Sequence, residues 1–274
     1  MIMDRYIKIM GIVNLTEDSF FAGSRCPEVE AALARMEAML KEGADIIDIG
    51  ACSTRPGSLP VGPETEWQRL KPVLEEMSRN FPDIPISIDT YWSEVVRRVH
   101  DLIGCHIVND ISAGEDDPMM LRTVGELGLE YVAMHKVGSH EYMHETTVSG
   151  NIVEEVRNYF DRFALRAEEA GIRKWVLDPG FGFAKDIGQN WELMAGLQHL
   201  KTAYNGFHPE ILVGISRKSM ICKPLGISPE DSLSATQAAH MAALIKGADI
   251  LRVHDVSAAR QTVSLFRQMA LGRE

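Results

Sequence analysis

The sequence predicts a closed (β/α)8 barrel, the TIM architecture, on three observations. Short apolar runs rich in β-branched residues alternate with longer stretches of helical period to the end of the chain, and eight such pairs can be counted. The strand candidates are continuous apolar runs, which is how parallel strands covered by helices read. The 274 residues contain no low-complexity linker or composition shift, so they suit one barrel of about 250 residues rather than two domains. An open doubly wound sheet is the alternative, but no G-x-G-x-x-G follows the first strand.

The elements follow in order. The first strand is expected at Ile7–Val13, with a helix at Pro27–Glu42 that stops at Gly43. Strands at Ile46–Ile49, Pro85–Ile88 and His106–Val108 come next, each followed by its helix at Glu64–Asn80, Ser93–Leu102 and Pro118–Leu127. Tyr131–Met134 and Trp175–Leu177 precede helices at Asn151–Ala170 and Gln189–Leu200. Ile211–Gly214 and Ile250–Val253 complete the strands, with helices at Pro229–Lys246 and Val256–Ala270. Gly43, Gly128, Gly171 and Gly247 each stand just past a helical stretch, where a C-terminal cap favours positive φ. The longest structureless stretches, Leu15–Cys26, Gly50–Pro63 and Lys136–Gly150, all follow strands and so fall on the C-terminal face of a barrel.

Charge and cysteine content narrow the function. Lys and Arg number 28 against 39 Asp and Glu, a net charge of −11, which disfavours a nucleic-acid partner and requires a local basic site for any anionic ligand. No apolar run approaches the roughly 18 residues of a membrane span, and Asp4, Arg5 and Lys8 interrupt the N-terminus. Cys26, Cys52, Cys105 and Cys222 form no C-x-x-C pair, so a reduced cytoplasm is the expected setting.

Polar residues close the expected strands: Asn14, Asp48, Asp89, Asn109 with Asp110, His135, Asp178, Ser216 with Arg217 and Lys218, and Arg252 with His254 and Asp255. A barrel brings all of them to one mouth. Singly, such residues are ordinary helix caps and turn formers, and that reading suffices for Asp48 and Asp110. As a set they have two characters. Asp89, Asn109 and Asp178 suit a flat heterocycle with several N–H donors, while Arg55, Arg217, Lys218, Arg252 and His254 suit a phosphate or carboxylate.

The blocks that carry these residues are IMGIVNLTEDSF (9–20), GADIIDIGACSTRPGS (43–58), ISIDT (86–90), IVNDISAG (107–114), VAMHKVG (132–138), LDPGFGFAKD (177–186), LVGISRKSM (212–220) and GADILRVHDV (247–256). In order and spacing they resemble the dihydropteroate synthases along nearly the whole chain. The resemblance implies a barrel enzyme that joins 6-hydroxymethyl-7,8-dihydropterin diphosphate to p-aminobenzoate, releasing pyrophosphate, with Mg²⁺ as cofactor and a homodimer formed through outer helices. It implies a dissociative reaction, in which the bond to diphosphate breaks before the amine attacks.

By motif position, the resemblance places Asp89, Asn109, Met134, Asp178, Phe183 and Lys218 around the pterin. It gives the diphosphate to Asn14, Thr54, Arg252 and His254, with Asn14 also on Mg²⁺. Thr54, Arg55, Pro56 and Ser219 fall to p-aminobenzoate, Ser219 as the opening of a helix whose positive end receives the carboxylate. Asp89, Asp178, Lys218 and Asn14 are the implied catalytic residues. Departures from the commonest family pattern are Ala22 in the first loop, Cys52 for a frequent Glu, and Ala184 with Asp186 in the sixth block. KVGSHEYMHE (136–145), after the fifth strand, departs as well; His135 just before it and His140 and His144 within it fit no metal spacing and read as a surface loop.

Overall fold

The computed structural model describes residues 6–15, 26–52, 61–137 and 150–271. Eight parallel strands close into a barrel in the order β1-β2-β3-β4-β5-β6-β7-β8. They are β1 (Lys8–Asn14), β2 (Ile46–Gly50), β3 (Ile86–Asp89), β4 (Ile107–Asp110), β5 (Glu130–Met134), β6 (Trp175–Asp178), β7 (Glu210–Val213) and β8 (Ile250–Val253). The helices are α1 (Cys26–Lys41), α2 (Pro63–Asn80), α3 (Ser93–Ile103), α4 (Met120–Leu127), α5 (Ile152–Glu169), α6 (Ile187–Gly196), α7 (Ser219–Leu225), α8 (Leu233–Ile245) and α9 (Val256–Leu271).

The strand register sorts the barrel interior into layers. Met10, Ile46, Val132, Val176, Leu212 and Ile250, with Ile107, pack as one apolar cluster inside the barrel. Two residues further along most of these strands stand Asp48, Asn109, Met134, Asp178 and Arg252, and Asn14 lies four beyond Met10. Since side chains alternate across a strand, residues at i+2 and i+4 face the same way, so the apolar plug dictates which residues form the layer above it. That upper layer is the mouth.

Several strands extend past the last apolar residue, because the polar upper layer still belongs to the ladder. Asn109 pairs with Val132 and Asp110 with Ala133 between β4 and β5, and Met134 pairs with Asp178 between β5 and β6. His106 lies just outside β4, its Nδ1 3.0 Å from the Gly104 carbonyl. β7 ends one residue before the expected Gly214. The expected helix at Gln189–Leu200 splits into α6 and a 3-10 turn at Leu197–Leu200. In the seventh unit α7 stands apart from α8, and so the expected eight helices are nine among the described residues. α4 starts at Met120, two residues after Pro118.

The lower rim is fastened twice by the same tetrapeptide. In the first Gly-Ala-Asp-Ile, Asp45 accepts a hydrogen bond from the Ile9 N–H at 2.7 Å and pairs with Arg260 at 2.6 Å. In the second, Asp249 accepts from the Ile211 N–H at 2.8 Å and pairs with Lys201 at 2.6 Å. Each carboxylate thus satisfies the N–H of the second residue of a neighbouring strand and a cation from outside the sheet.

Asp45→Ala and Asp249→Ala should each lower stability by about 1–3 kcal/mol, since a strand N–H and a cation lose their acceptor. Both lie on the face opposite the mouth. Urea unfolding measures the loss, and activity per folded molecule should stay at the wild-type level.

Candidate active site

At the C-terminal ends of the strands the barrel opens into a cavity of about 600 Å³. Asn14, Asp89, Phe183, Lys218, Arg252 and His254, all expected at the site, line it, together with Ile12, Cys52, Gly214, Ser216, Arg217, Pro229 and Glu230. Asn109, Met134 and Asp178 lie almost fully buried in the same layer. Ser219 opens α7 as an exposed residue outside the cavity's lining. Thr54, Arg55 and Pro56 lie outside the described residues, as do Ala22, His140 and His144.

Arg252 organises the floor. Its Nε donates to Asp48 Oδ2 at 2.7 Å, and its Nη2 donates to Asp89 Oδ2 at the same distance. Asn109 Nδ2 donates to Asp48 Oδ2 at 3.2 Å. One guanidinium from β8 therefore reaches across β1 to carboxylates on β2 and β3. Asp48, which the sequence left as a cap, is a fully buried member of this cluster. Its spacing from Ile46 repeats that of Met10 to Ile12, and that register was the available signal. Asp110 is indeed structural: its carboxylate accepts from Ser112 N–H and Oγ, Gly114 N–H and the Tyr131 hydroxyl.

The opposite side of the mouth is assembled from β5, β6 and the loop after β6. Asp178 opens Asp-Pro-Gly, and its Oδ1 accepts from the Gly180 N–H at 2.8 Å. Gly180 has φ +68, and an added Cβ would come within 2.0 Å of the His135 carbonyl oxygen, so only glycine allows the loop to seat on β5. Met134 packs with Tyr91 and Ile111, and Phe183 packs against that cluster. Lys218 Nζ stands 4.5 Å from the centre of the Phe183 ring and donates to the Phe181 carbonyl at 2.5 Å. His135 is buried, with Lys185 Nζ 2.9 Å from its Nδ1, so for this histidine the surface-loop expectation is wrong: the chain is still tied to the sheet at the end of β5.

Burial moves the titrations together. Asp89 is pushed up to about 7, chiefly by desolvation, with Arg252 opposing and Asp48, Asp110 and Asp178 adding. Asp178 is raised, again mainly by burial. Burial lowers Lys218 to about 8, against the pull of Asp178. His254 falls to about 4 through burial and the repulsion of Arg252 and Arg217, so near neutrality it is an uncharged imidazole, with Nδ1 3.0 Å from Ser216 Oγ. Arg217 lines the cavity, but Asp255 holds its guanidinium at 3.0 and 2.6 Å. Of the departures, Cys52 lines the cavity 3.7 Å from the Tyr91 hydroxyl, and Asp186 closes a capping box with Gln189 at the start of α6.

No group of three His, Cys, Asp or Glu side chains suited to a metal occurs among the described residues. Asn14 offers one neutral oxygen: its Oδ1 and Asp89 Oδ2 each lie 3.6 Å from the point that a Cβ on Gly50 would occupy. Mg²⁺ keeps several waters and takes much of its shell from substrate phosphates, so it needs little more from a protein. This donor set suits a cation that arrives with a diphosphate.

Comparison with known proteins agrees with the geometry. A family model described as "Pterin binding enzyme" matches residues 10–254. The dihydropteroate synthase of Escherichia coli K12 is 40% identical over 261 residues, covering 94% of this chain and 89% of the relative. The structure of Burkholderia cenocepacia dihydropteroate synthase complexed with 7,8-dihydropteroate superposes with a TM-score of 0.87 at 33% identity, covering 98% of this chain and 93% of that one. The Xanthomonas albilineans enzyme with 4-aminobenzoic acid gives 0.86 at 36%, covering 98% and 94%.

The raised Asp89 titration predicts how stability responds to pH. A carboxyl whose folded pKa lies above its unfolded value near 3.8 stabilises the fold most below about pH 4, and that contribution is lost as pH rises through about 7. Urea unfolding of wild type and Asp89→Asn at pH 5 and 8 should show wild type losing ground to the variant at the higher pH. A gap that moves in wild type's favour would mean that Arg252 outweighs burial.

Proposed function

The chain belongs to the pterin-binding enzyme family, among its dihydropteroate synthases, and from that premise we propose how its own residues perform the reaction. The observation that carries the proposal is the two-sided mouth: carboxylates, an amide and a lysine meet there beside a guanidinium, an imidazole and an asparagine. Asp178, Asn109, Asp89 and Lys218 hydrogen-bond the edge of the pterin, whose ring lies beside Met134 and Phe183. Buried polar partners of this kind reject heterocycles that lack the matching donors. Relatives of solved structure that hold 7,8-dihydropteroate and 4-aminobenzoic acid support both substrates.

The substrate's C–O bond to diphosphate breaks first, its electron pair leaving with the diphosphate. Asp89 and Asp178 face the positive charge that develops on the pterin methylene. Arg252, His254 and Asn14 receive the leaving group, Arg252 as a fixed charge and His254 as a neutral donor. Asn14 would also hold Mg²⁺, which neutralises charge on the departing diphosphate when bound. The amine of p-aminobenzoate then forms the new N–C bond and gives up a proton. Its carboxylate lies on the Ser219 side, and Thr54, Arg55 and Pro56 complete the site.

We also place the enzyme in the cytoplasm, as a homodimer through its outer helices. Cys105 and Cys222 carry thiols, and among the described residues no helix is long and apolar enough to cross a membrane. Leu233 and Ile245 on α8 and Leu265 on α9 are apolar and exposed.

Pyrophosphate release measured with a coupling enzyme should depend on both pterin diphosphate and p-aminobenzoate; release with neither or only one required would contradict the proposal. Asp178→Ala should fold and lose pterin affinity by about 1–3 kcal/mol or more in calorimetry. His254→Ala should weaken the diphosphate-bearing pterin about tenfold and leave the bare pterin unchanged, as expected for one lost donor. Arg252→Ala should weaken both ligands, because Asp89 and Asp48 lose their counter-charge with it.

A further inference from the structure

The loop that carries Asp178 and Phe183 contains a lysine that the reaction leaves unused. Lys185 is buried, at 9% exposure, and all three of its N–H donors have acceptors: the Gly180 carbonyl at 2.9 Å, the Phe183 carbonyl at 3.0 Å and His135 Nδ1 at 2.9 Å. An ammonium is costly to bury, and it is retained where each proton finds a partner. Here the partners lie on both sides of the loop and on the end of β5. The ring so closed includes Ala184, held at φ +51, a left-handed conformation that residues with a Cβ seldom adopt.

We infer that Lys185, seated on His135, is a positioning residue for the pterin: it fixes the loop from within, so that the Phe183 ring and the Asp178 carboxylate reach the mouth in one arrangement. The inference rests on the pterin reading of the mouth given above. When Lys185 is protonated it donates to Nδ1, and His135 then carries its hydrogen on Nε2, a buried nitrogen with no hydrogen-bond partner among the described residues. Burial depresses Lys185 to about 7, with Asp178 pulling it up and Lys218 pushing it down, so Asp178 feels the charge of both lysines.

Lys185→Met keeps the length of the side chain and removes its donors. The expected result is a ten- to hundredfold rise in the dissociation constant for pterin and in KM for pterin diphosphate, with KM for p-aminobenzoate and kcat at saturation within about threefold of wild type. A merely structural lysine would lower Tm and the active fraction without separating the two substrates. His135 supplies a second, milder pair, which serves if Lys185→Met does not fold: His135→Leu should weaken pterin about five- to tenfold, and His135→Asn, which restores an acceptor oxygen, should recover most of it. Folded Lys185→Met with wild-type pterin affinity, equal losses for both substrates, or no difference between the two His135 variants would overturn the inference alone. Failure of the wild-type protein to bind pterin would overturn the reading beneath it as well.

Discussion

The bridge from Arg252 to Asp48 and Asp89 is the constraint on which the mouth depends. Two carboxylates on neighbouring strands, one of them fully buried, repel each other and need a counter-charge within hydrogen-bond reach. The guanidinium supplies it bidentately and from across the barrel, so it also fixes β8 relative to β2 and β3 at the level where substrate must bind. Removal of either side of such a buried pair costs about 3–5 kcal/mol, because the remaining charge is left uncompensated. Arg252 therefore has a structural duty in addition to any contact with a leaving group, and the two cannot be separated by a single truncation.

Around that bridge the charges nearly balance. Asp48, Asp89 and Asp178 face Arg252, Lys218 and Lys185, three acids against three bases in one buried layer. Burial moves the titrations of Asp89, Lys218 and Lys185 to between about 7 and 8. Burial, and after it the repulsion of Arg252 and Arg217, keeps His254 neutral beside this layer.

The fold was legible because the alternation of apolar runs and helical stretches persists through the whole chain, and the strand-end residues were legible because a barrel leaves them nowhere else to go. What the sequence hid follows a physical pattern. Asp48 was concealed by its position between Ile47 and Ile49, where only the interior register distinguishes a buried ligand of Arg252 from a helix cap. Lys185 was concealed because its acceptors are two carbonyls and a histidine 50 residues away, contacts that leave no trace in local pattern. His135 looked like the start of a loop because polar residues follow it, yet its backbone N–H still donates to Asp178 O at 2.9 Å as part of the sheet. The short helix α7 was not drawn as an element, although Ser219 was read as a helix opening, because it spans only seven residues and holds Pro224 near its end.

The central claim is that the pterin ring lies on the layer organised by Arg252. A crystal structure of the protein with a bound pterin tests this most directly. The account predicts the ring beside Met134 and Phe183, its N–H edge on Asp178 and Asn109, with Arg252 still joined to Asp48 and Asp89. A ring bound elsewhere in the cavity, or a guanidinium swung off both carboxylates to reach the ligand, would contradict it.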